Sequence, residues 1–115
     1  MATSKASHER LLASIETTYR LAERNFDKLY AAAATPQAKE QVRDLYGAAR
    51  DAYWKAVVAS LEDHSSVVTS IHDDLKRTNR ELKKSFESLE DVARTLAVLT
   101  EAVKLAASLV TLGAV

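Results

Sequence analysis

The sequence predicts an all-α fold: an antiparallel up-down bundle of three long helices with coiled-coil-like heptad packing, or of four if a further break falls late in the chain. Three observations carry this. Apolar residues recur in alternating steps of three and four from Val68 to Val110, through Ile71, Leu75, Thr78, Leu82, Ser85, Leu89, Val92, Leu96, Leu99, Val103 and Ala106. The same register reaches back through His64, Leu61 and Val57 to Trp54, and fourteen of these seventeen positions are apolar. That spacing is the stripe by which a helix lies against partner helices. No glycine or proline interrupts the chain between Gly47 and Gly113. Finally, two Gly, one Pro and 47% hydrophobic residues suit a helical bundle, whereas a sheet would need more turn residues and β-branched runs. At 115 residues the chain makes a single domain, 1–115, with a modest core that needs no disulfide or metal.

The first helix is expected from about residue 4 to 34, with Thr3 or Ser4 capping its free N–H groups. Its seam is Leu12, Ile15, Tyr19, Ala22, Phe26, Leu29 and Ala33. Thr35-Pro36 then punctuates the chain, because the residue before proline is pushed out of helical geometry and proline suits the first helical position. So short a link predicts a helical hairpin. The second helix, about 36–63, offers Val42, Leu45, Ala49, Ala52, Ala56 and Ala59 on one line, with Gly47 expected to pack closely on an aromatic of the first. A turn is expected near His64, and the third helix runs about 65–112. Ser88, with Asp91 three positions on, is a weak second cap that would divide it.

Charge excludes several functions. Sixteen Lys+Arg balance sixteen Asp+Glu, and the balance is also local: five basic against four acidic residues in 1–35, and five against six in 65–91. No segment carries the basic stripe that phosphate neutralisation needs, so nucleic acid is not an expected partner. Neutrality also removes repulsion between copies and eases self-association. The cluster Lys76, Arg77, Arg80, Lys83 and Lys84 is interleaved with Asp73, Asp74, Glu81 and Glu87, and reads as an ion-paired outer face in preference to an anion site.

No catalytic, metal or cofactor site is expected, and the chain is not read as an enzyme. Cysteine is absent, and no Gly-rich phosphate loop or zinc spacing occurs. His64 and His72 stand eight residues apart, too far to share a metal alone on one helix, and no Glu-x-x-His pattern is present. The histidines read as solvated or capping groups, and the aromatics as core. The polar start, Met1 to Leu12, lacks a signal-peptide core, which makes the cytoplasm the default compartment with signal-less export still open.

The C-terminal segment is the unusual feature. Beside the main seam runs a second line: Val98, Ala102, Leu105, Leu109 and Leu112. A helix apolar nearly all round is buried on several sides or sits in lipid. The expected function is therefore a non-catalytic interaction or scaffold protein, forming homo-oligomers or binding a helical partner through those five residues. The alternative is a membrane-active helical protein such as a pore-forming toxin component. Reaching a span of about 20 residues would draw Glu101 and Lys104 inside. A third expectation is a small inhibitor or immunity-type binding module.

Overall fold

The computed structural model describes residues 2–115, with side chains from Lys5 onward. It is all-helical, with five α-helices among the described residues: α1 (Ala2–Arg24), α2 (Phe26–Ala32), α3 (Pro36–Val58), α4 (Ser66–Ser88) and α5 (Val92–Gly113). The Thr3 or Ser4 cap lies outside the described side chains.

Each break has a local cause. The first expected helix divides at Asn25, whose side-chain amide donates to the Leu21 carbonyl at 2.9 Å and leaves the backbone outside helical geometry for one residue. At Thr35 the hydroxyl accepts from the Ala38 N–H at 3.1 Å, and Pro36 opens α3. α3 stops at Val58, earlier than the expected 63, because Leu61 turns inward to become almost fully buried. The turn is held by surrounding chain. The Glu62 N–H donates to the Gly113 carbonyl, the Val115 N–H to the Ser60 carbonyl, and the Asp63 N–H to Ser7 Oγ. Ser65 then caps α4.

The expected third helix is two. Leu89 adopts a left-handed conformation, φ 47°, that ends α4. Asp91, and not Ser88, caps α5 by accepting from the Arg94 N–H at 3.0 Å.

α1 packs on α3 and α4, α5 packs on the same two helices, and α2 leans on α3. α3 and α4 follow each other in the chain but are not packed neighbours. Tyr19 stacks on Tyr46 and Tyr53, joining α1 to α3. The pairs Ser14–His72 and Thr18–Asn79 join α1 to α4. Arg94 reaches back from α5 to Glu81 of α4. The molecule measures 50 × 22 × 19 Å.

The buried register differs from the expected seam in α4. The core line is Val68, His72, Leu75, Asn79, Leu82 and Phe86. Ile71, Thr78 and Ser85, the expected positions, are only half-buried. Two polar residues take core places because α1 supplies hydrogen-bonding partners there. Upstream the seam also fails, since Trp54, Val57 and His64 are exposed. Gly47 packs on nothing: no atom lies within 4 Å of where its Cβ would stand. The aromatics of α1 and α2, Tyr19 and Phe26, meet Tyr46 instead.

Candidate functional site

Three surfaces compete for a role, beginning with the second apolar line of α5. That line is not left open by its own chain. Ala102 and Leu109 are fully buried, Val98 and Leu105 are half-buried, and only Leu112 is exposed, at 46%. The chain itself covers most of both lines, because α1, α3 and α4 all contact α5. Gly113, also buried, packs near Leu11 and Leu61. As an interface, the line shrinks to Leu112 and the edge at Leu105 and Val98.

A second surface gathers at the end of α3. Trp54, Val57 and Val58 are exposed there, with Val58 at 85%. The Val115–Ser60 hydrogen bond brings the C-terminus to the same end, and exposed Val115 and Leu112 come with it. His64, whose Nε2 lies 3.1 Å from the Leu112 carbonyl oxygen, and Val67 complete that end of the molecule. Trp54 is the only tryptophan in the chain, and among the described residues its only ring contact is an edge-on one with Tyr53.

The third surface lies between α1 and α4 and rests on a polar layer. Ser14 Oγ is 2.7 Å from His72 Nε2. The Thr18 hydroxyl donates to Asn79 Oδ1 at 2.7 Å, and Asn79 Nδ2 donates to the Ser14 carbonyl at 3.0 Å. No buried side-chain polar atom among the described residues lacks a partner. Burial pushes the His72 ring below its ordinary value, and the nearby Lys76 charge adds to that. Over this layer opens a groove of about 650 Å³. Ser14, Thr17 and Asn79 form its polar surface, and Arg20, Arg24, Lys76, Arg80 and Lys83 line it with Glu16 as the one carboxylate.

The ion pairs divide the basic cluster. Lys76 meets Asp73 and Arg77 meets Asp74, as an ion-paired face would. Arg20 is held by Glu16 and Glu23, and the Arg20 hydrogen bond keeps the Glu23 carboxyl below its usual range. Among the described residues, Arg24, Arg80 and Lys83 have no carboxylate within 4.0 Å. Arg24 also suits the negative end of the α1 dipole. Arg80 and Lys83 have no such structural use. Sequence reasoning missed this groove because its cations come from two segments that are each balanced in charge. The parallel four- and three-residue spacing of Arg20 and Arg24, and of Lys76, Arg80 and Lys83, was the signal available.

No group of three or more His, Asp or Glu side chains with metal-binding geometry occurs among the described residues. Comparison with protein-family models, curated proteins and solved structures finds no significant match.

Proposed function

We propose that this chain is a non-catalytic interaction module, an antiparallel helical bundle with heptad-like seams that self-associates through the apolar end where α3 and α5 finish. The observation that carries the reading is Trp54, 55% exposed beside Val57 and Val58, with Leu112 and Val115 at the same end. Contiguous exposed apolar surface marks interaction sites, and tryptophan is enriched at their centres. Zero formal charge leaves no long-range repulsion to keep copies apart.

Light scattering at micromolar concentration is expected to give a mass above 12.6 kDa. Trp54 emission should shift to the blue as concentration rises, because the sole tryptophan would leave water. Trp54→Glu with Val58→Glu should restore the monomer with its helical content unchanged. A wild-type protein that stays monomeric with constant emission would end this reading.

A second reading has one observation in its favour. α5 is 22 residues long and, by length and composition, apolar enough to cross a membrane. Its inner face, Leu99, Ala102, Ala106 and Leu109, is core in the folded chain, so insertion requires the bundle to open. Leakage of neutral liposomes by wild type, absent in Leu105→Lys, would favour it over self-association.

A further inference from the structure

We infer that the groove between α1 and α4 binds a soluble small-molecule polyanion carrying two or more phosphate groups. The first ground is charge placement. The chain has zero formal charge, yet five cations and one carboxylate line this one groove. Like charges brought together across a groove destabilise a fold unless something neutralises them. Two of the five show the usual solution, since Lys76 sits against Asp73 and Arg20 against Glu16 and Glu23. That leaves Arg24, Arg80 and Lys83 without an ion pair among the described residues. Arg80 and Lys83 face the groove from α4, and Arg24 faces the same space from the other helix.

The second ground is donor geometry. Guanidinium groups offer planar pairs of N–H donors that match phosphate oxygens, and lysine adds a mobile point charge. At the base of the groove, Asn79 is 5% exposed and lines the opening. One N–H of its amide goes to the Ser14 carbonyl, which leaves the other to donate. The Thr18 hydroxyl fixes the orientation of that amide by donating to its oxygen.

The third ground is size. Lys76, Arg80 and Lys83 span about 10 Å along α4 at 1.5 Å per residue. That length accommodates a short phosphate chain, but is too short for the row of contacts by which a nucleic-acid strand is held. The pairing of helices sets the two sides of this open groove, so a ligand lies between cations of α1 and cations of α4.

The experiment is titration calorimetry of the full chain with inorganic tripolyphosphate at about 0.15 M ionic strength, where diffuse attraction is screened. Orthophosphate, a poly-glutamate peptide and phosphatidylglycerol vesicles are the comparators. Saturable one-to-one binding of tripolyphosphate, stronger than that of orthophosphate, is expected. Arg80→Gln with Lys83→Gln should weaken it by at least about tenfold, with circular dichroism unchanged. Lys84→Gln, on the same helix but outside the groove, should change it by less than about twofold. If the double variant loses helical content, Lys83→Gln alone decides, because that side chain is exposed. Absence of saturable binding to wild type overturns the inference. So does equal weakening by Lys84→Gln, which would mean screening by the whole surface. Binding confined to the peptide or to the vesicles overturns it as well.

Discussion

A methyl group added at Gly47 would meet open space, in the middle of a helix where glycine is the poorest residue short of proline. Gly47→Ala should therefore raise stability by about 1 kcal/mol, read as a shift in the urea midpoint. His72 makes the opposite kind of case. Its ring is buried against Ser14 and held below the ordinary value of 6.5, so the folded chain keeps it neutral while the unfolded chain takes up a proton. Its contribution is present above pH 6.5 and is lost as pH falls from there through the lowered folded value. His72→Gln should flatten that acid limb. The check is the difference in urea midpoint between about pH 7.5 and about pH 5.5, larger for wild type than for the variant. Neither environment was readable from residue type. Gly47 has no part in the close packing expected of it, and His72 is neither the solvated nor the capping group expected. What decides both is the neighbour across the interface, which spacing along one helix does not contain.

At the scale of elements, the hairpin at Thr35-Pro36 was the most legible feature, because proline acts on its own backbone and needs no tertiary partner. The breaks at Asn25 and Leu89 were not legible, or only half so. Asn25 interrupts a helix through a side-chain bond to Leu21, and a leucine in left-handed geometry carries no residue-type signal. The α4 seam was read one position off at three places, since Ile71, Thr78 and Ser85 looked no worse than His72, Asn79 and Phe86 until α1 provided Ser14 and Thr18. For α5 the apolar lines were correctly seen, but their division between core and surface was not. Leu109 is fully buried and Leu112 is 46% exposed, three residues further on. Leu109→Ala should cost about 2–5 kcal/mol in chemical denaturation. Leu112→Ala should stay within about 0.5 kcal/mol in the same assay at concentrations below self-association.

At the scale of the molecule, composition gave the fold class and the neutral charge, and both follow from sums over residues. The groove does not, because it exists only where one balanced segment is laid beside another. Its polar layer closes chain separations of 58 to 65 residues. α1 with α3, and α4 with α5, are joined by far shorter links, so the chain amounts to two hairpins. The link between α3 and α4 joins helices that do not pack together, and the hairpins meet instead along α1–α4 and α3–α5.

That diagonal arrangement has a thermodynamic consequence. A solute lodged between α1 and α4 touches both hairpins at once, and has nothing comparable to hold when they are apart. It therefore favours the joined form by RT ln(1 + [L]/Kd), about 2.7 kcal/mol at a hundredfold excess over its dissociation constant. Under the proposed binding, the stability of the contact between the two halves rises with the polyanion content of the surroundings.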